Sequence, residues 1–197
     1  MKQMKARSFT VSQFFKTITI ALPSLRIMKR SKKRGFISEE FINHIMLVVT
    51  EVNGCALCNY FHAKDALEQG MSPEQIQAMI DLEDHAVEEY ESTGLLFSQH
   101  YADTFGEIDS KSWDRLLEVY GKDSAMAILA ATRVIMFGNI NGIAFGALGD
   151  RLKGRSVSDR NIFVDICNSF GVILLLPLAF TSNILTMKKG FKSDLSV

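Results

Sequence analysis

Apolar residues recur along most of this chain at intervals of three and four, the period of a helix with one buried face. Phe41, Ile45, Val48, Val49 and Val52 form such a stripe behind Ser38, a suitable N-cap. Glu39 and Glu40 follow it, where the helix dipole favours negative charge. Asn53-Gly54 should end this helix, because both residues tolerate the backbone of a break. A second helix runs on from there and stops before Gly70. Ser72-Pro73-Glu74-Gln75 combines a cap, a proline at the first helical position and a capping-box partner, and predicts a short helix to about Leu82. The next is expected from about Asp84 to Thr104, with Tyr90, Leu95, Leu96, Phe97 and Tyr101 available for burial. Ser110 or Ser112 can cap a helix holding Trp113, Leu116, Leu117 and Tyr120, closed by Gly121. From about Asp123 to Leu152, Gly138, Gly142, Gly146 and Gly149 alternate with alanines, which predicts a rod that another helix can approach closely. In a last region, Asn161 to Leu185, the run from Val172 to Phe180 reads as a buried helix kinked at Pro177. No strand pattern interrupts this series, so the fold class is all-α.

Charge divides the chain unevenly. It has 197 residues, with 22 basic and 22 acidic side chains, enough for one sizeable core and a small appendage. Ten of the basic residues lie between Lys2 and Arg34 and no acidic residue precedes Ser38. Residues 1–37 are therefore read as a basic, amphipathic helical arm interrupted at Pro23, and residues 38–197 as the helical domain. Such an arm is expected to pack on its own domain or on a second subunit, with the acidic segment Glu74 to Glu91 as an available counterpart. The short run Ile18 to Pro23, with no cleavage site after it, does not read as a signal peptide. The run from Val172 to Phe180 is too short to span a bilayer, and Lys188, Lys189 and Lys192 read as a solvated tail. Neither a membrane nor nucleic acid is the expected partner.

The chemistry concentrates in Glu51-Val52-Asn53-Gly54-Cys55-Ala56-Leu57-Cys58-Asn59-Tyr60-Phe61-His62. With Cys55 in the first turn of a helix, Cys55, Cys58 and His62 share one face. A sulfur at a helix N-terminus or beside an imidazole has a lowered pKa, and the thiolate is the reactive form. Cys58 is the working nucleophile, since His62 stands one turn beyond it, and Cys55 would resolve it; the reverse order is also open. A zinc site needs a fourth ligand from His44, His85 or His100. A haem attachment would need histidine where Asn59 stands, and a thioredoxin-like site would need strands. Two inert buried thiols are the bland alternative. Three cysteines, with Cys167 apart from the pair, do not form a disulfide framework and fit a reducing, cytoplasmic setting. Asp81, Glu83, Asp84 and His85 read as an exposed connection rather than a metal set, and His100 as structural. No Walker lysine motif, dinucleotide fingerprint or H-E-x-x-H is present. Ile128 to Val134 repeats the pattern of Met46 to Val52 at an offset of 82 residues, which is either a degenerate duplication or chance.

The run from Val48 to His62 resembles the core signature of the carboxymuconolactone decarboxylase superfamily, and within it the alkylhydroperoxidase AhpD-like branch, which carries the C-x-x-C pair. The resemblance spans about residues 38 to 70. It implies an all-helical, AhpD-like bundle that is oligomeric, and a peroxidase activity in which Cys58 attacks a hydroperoxide, Cys55 closes the disulfide, and His62 with a glutamate relays protons. The cofactor implied is none beyond the redox-active Cys55–Cys58 pair, reopened by an external dithiol reductant. Two positions depart from the family pattern. Asn43 stands where the relay glutamate usually lies, and Leu57 where histidine or tyrosine is common. Glu51 is the expected substitute carboxylate, with Glu40 a weaker one. Two other functions stay open: a non-redox enzyme of the decarboxylase type, and a non-catalytic redox sensor that binds a partner through the arm.

Overall fold

The computed structural model describes residues 5–83, 87–157, 160–171 and 173. Among them every regular element is an α-helix: α1 Val11–Lys33, α2 Glu39–Asn53, α3 Ala56–Glu68, α4 Pro73–Ile80, α5 Glu89–Asp103, α6 Ser110–Leu152 and α7 Ile162–Gly171. The helix α6 is the axis of the bundle, packed by α1, α2, α3 and α5. Its alanines and glycines keep that surface low. Ile128, Ile135, Met136 and Ile140 fill the space between. By length and composition α6 could cross a membrane, but most of its apolar stretch is covered by the other helices. It is two rods end to end, because Gly121 (φ 69°) leaves the helical conformation between 110–120 and 122–152.

Local chemistry sets the starts. Ser38 accepts from the Phe41 N–H at 2.9 Å, and Ser72 with Gln75 forms the expected capping box. Thr10 forms a second box with Gln13 at the start of α1. The cap of α6 is Asp109, one residue before Ser110 and three before Ser112, the two caps expected there. The helix α5 begins at Glu89, later than the Asp84 expected. Residues 84–86, including Asp84 and His85, lie outside the described set, as do Val172, the run 174–180 with Pro177, and the lysines of the tail.

Two expectations about the basic arm need correction. Pro23 does not interrupt it: α1 runs through the proline. Phe14, Ile18 and Ala21 of α1 are buried in the bundle, and that packing outweighs one lost backbone hydrogen bond. Nor, among the described residues, does the segment Glu74 to Glu91 supply its counter-charges: Arg7 pairs with Asp103 and Lys32 with Glu39. What seats the helix is its apolar stripe, because exposed ion pairs add little.

Candidate active site

At Gly54 the chain adopts φ 70° and ψ 35°, and its N–H closes α2 on the Thr50 carbonyl at 2.8 Å. The N-terminal segment crosses this turn, with the Arg7 N–H donating to the Asn53 carbonyl at 3.0 Å. Cys55 then becomes the N-cap of α3, one position before the first turn, and its sulfur accepts from the Cys58 N–H at 3.3 Å. An anionic sulfur there is stabilised by that N–H and by the positive end of the helix. Cys55 and Cys58 are disulfide-bonded, with Cα atoms 5.3 Å apart. Cys55 is fully buried and Cys58 is partly exposed.

The floor under the sulfurs is α6. Cys58 Sγ lies 3.8 Å from the Gly138 carbonyl oxygen, a ready acceptor for the reduced thiol. A Cβ placed on Gly142 would lie 2.6 Å from Cys55 Sγ and 2.7 Å from Cys58 Sγ, so only glycine leaves room there. The richness of α6 in small residues was legible as close approach; that the approaching group is a pair of sulfurs was not.

The partner of His62 Nδ1 is an amide. Asn43 donates through Nδ2 to the His62 backbone carbonyl at 3.2 Å, which turns its Oδ1 toward His62 Nδ1 at 3.1 Å. An amide oxygen only accepts, so Nδ1 carries the proton and Nε2 keeps the lone pair of a base. Burial lowers the imidazole's pKa from its ordinary value, and the nearby Asp65 carboxylate partly offsets this. Glu51 sits eight residues beyond Asn43 on α2, about 12 Å along the axis. The partner that joins His62 is thus the residue that stood out in the sequence as a departure. Of the other histidines, His44 is buried against Glu91 at 2.6 Å and His100 faces Asp109 at 3.3 Å. Among the described residues no three His, Cys, Asp or Glu side chains gather as a metal set.

Beside the imidazole opens a cavity of about 530 Å³ between α1, α2 and α3. His62 and Asn43 line it together with Ile42, Met46, Leu25 and Met28. No pattern along the chain pointed to the basic arm as a wall of this space.

A buried sulfur at a helix N-terminus, disulfide-bonded to a partly open one a turn on, with an imidazole one turn further along, makes a candidate dithiol site in an all-helical bundle. Residues 33–87, which hold all of that site except its α6 floor, match the model of the carboxymuconolactone decarboxylase family, and the match supports that superfamily. No curated protein and no solved structure matches the chain.

Proposed function

We propose that the protein is a thiol-dependent hydroperoxide reductase of the AhpD-like kind. The observation that carries this reading is the asymmetry of the sulfur pair: Cys58 is partly open to solvent, while Cys55 is sealed and held by a helix-end N–H. The Cys58 thiolate attacks the distal oxygen of ROOH, the O–O bond breaks, and a proton completes ROH while Cys58 becomes a sulfenic acid. The Cys55 thiolate then attacks that sulfur, forming the disulfide and releasing water once the departing hydroxyl is protonated. An external dithiol attacks Cys58 and expels Cys55, whose thiolate is the better leaving group for being at the helix N-terminus. Overall, ROOH and the dithiol give ROH, water and the oxidised partner. His62 Nε2 serves as the base that moves these protons, and we assign its orientation to Asn43 rather than to Glu51.

The test is peroxide consumption with a dithiol donor, for the native chain and for Cys58→Ser. The variant should fall to the level of a thiol-free control; equal rates would end the proposal. A stoichiometric dose of peroxide should also remove two titratable thiols together, restored by dithiothreitol.

The cavity favours a second reading, because His62 and Asn43 line it and neither sulfur does. A non-redox enzyme of the decarboxylase type would keep its turnover when both cysteines are replaced. On either reading a homo-oligomer is proposed, since Leu57, Tyr60 and Phe61 stand exposed on α3, and light scattering of the purified chain would test it.

A further inference from the structure

The cavity beside His62 has a size suited to a small organic ligand, and its lining carries charges of both signs. Leu25 and Met28 of α1 and Ile42 and Met46 of α2 supply its apolar surface. Lys29 and Lys32 of α1 line it beside Glu39 of α2. Lys32 is taken by Glu39, whereas Lys29 has no ion-pair partner among the described residues. Lys29 belongs to a run of six cations between Arg26 and Arg34 with no carboxylate among them, so α1 brings positive charge to this wall. Asp65 of α3 lies one turn beyond His62 and shares the lining with it. A negative group on a ligand is repelled by Asp65 and attracted by Lys29.

We propose that this cavity binds an amphipathic carboxylate: the apolar body lies between Met28 and Met46, the carboxylate is held by Lys29, and the far end points at His62. The helix α1 is then the element that selects the ligand, and it lies almost wholly outside the segment matching the family. The inference rests on the dithiol reading only for the ligand's fate, which would be reduction of a hydroperoxide carried on such an acid. Binding itself does not require the sulfurs.

Isothermal titration with decanoate, and with decanol as the uncharged control, tests it. Decanoate should bind the native chain roughly tenfold more tightly than decanol, as one charge-assisted hydrogen bond allows, and less tightly at high salt. Lys29→Met should remove that tenfold preference and Lys29→Arg should keep it. Arg30→Met, next in sequence but not in the lining, should leave decanoate binding near native. Met28→Trp should abolish binding by filling the middle, with thermal unfolding used to show that the variant is folded. No decanoate binding by the folded native chain, equal affinity for decanol, or a Lys29→Met protein that binds as the native does would each overturn the proposal. The titration is repeated on Cys58→Ser: binding kept while peroxide consumption is lost upholds both readings. Binding kept with unchanged peroxide consumption ends the dithiol reading alone.

Discussion

The helices α2 and α6 share a local pattern, Met46 to Val52 in one and Ile128 to Val134 in the other, and they part company directly after it. In α2 the next turn meets Gly54 in the left-handed region, the rod stops, and a new helix N-terminus appears with Cys55 on it. In α6 the corresponding position is Met136, the rod continues, and its next turns carry the Gly138 and Gly142 surface on which the sulfurs rest. Similar apolar faces thus yield opposite roles. The broken helix supplies the N–H and the positive end that a thiolate needs, while the unbroken one supplies a flat wall.

The difference can be attacked first at the break. An alanine at Gly54 would need a left-handed backbone, and its Cβ would run into the Lys5 carbonyl and lie 2.9 Å from Ala6 Cα. Strain and clash together should cost about 2–4 kcal/mol in urea unfolding. A variant of native stability would mean that the break does not depend on glycine. The wall is the next target. Gly142→Ala should cost about 1–3 kcal/mol by crowding both sulfurs, and should slow disulfide closure after peroxide treatment. Gly146→Ala, with open space around its Cβ, is the matched control and should stay within about 0.5 kcal/mol of native.

A smaller effect separates the paired threonines, both fully buried at the same place in the shared pattern. The Thr50 hydroxyl donates to Asn139 Oδ1 at 3.0 Å, and the Asn139 Nδ2 already lacks a partner. Thr50→Val therefore leaves a buried amide with nothing to bond, at about 1–3 kcal/mol. Thr132 donates to Ile128 of its own helix, and its neighbour Ser98 keeps a bond to the Gly94 carbonyl at 2.8 Å when Thr132 is lost. Thr132→Val should be the milder change, by about 1 kcal/mol. Equal losses would mean that the hydroxyl joining α2 to α6 contributes nothing of its own.

Much of this was legible along the chain because it is set locally. Caps such as Ser38 and Ser72, the stop at Gly54 and the spacing of Cys55, Cys58 and His62 are decided within a few residues, and sequence pattern reads that range well. What escaped depends on contacts far apart in sequence. Pro23 sits inside α1 because a stripe of α1 is buried in the bundle, most of it against α6. Lys32 turns to Glu39 rather than to the acidic segment. The identity of the His62 partner is the most instructive case. His62 Nδ1 meets the Oδ1 of Asn43, an amide 19 residues earlier in the chain, and only the folded hairpin of α2 and α3 brings the two together.

That amide leads to the gentlest test, the titration of His62. In the native fold burial holds the imidazole below its ordinary value of 6.5, and Asp65 pulls it partway back. The folded chain therefore binds fewer protons at this site than the unfolded chain as pH drops below 6.5. Its contribution to stability is complete above that pH and is lost as the pH falls through the folded value. Asp65→Asn removes the opposing charge and should lower the folded value further, moving both this loss and the acid limb of peroxide consumption to lower pH. Asn43→Asp should do the reverse, because a carboxylate on Nδ1 stabilises the imidazolium that an amide only orients. The Cε1 proton resonance of His62, followed from about pH 8 to about pH 4, reports both shifts directly. Movement of the two variants in the same direction would show that Asn43 and Asp65 do not act on the ring from opposite sides of the balance.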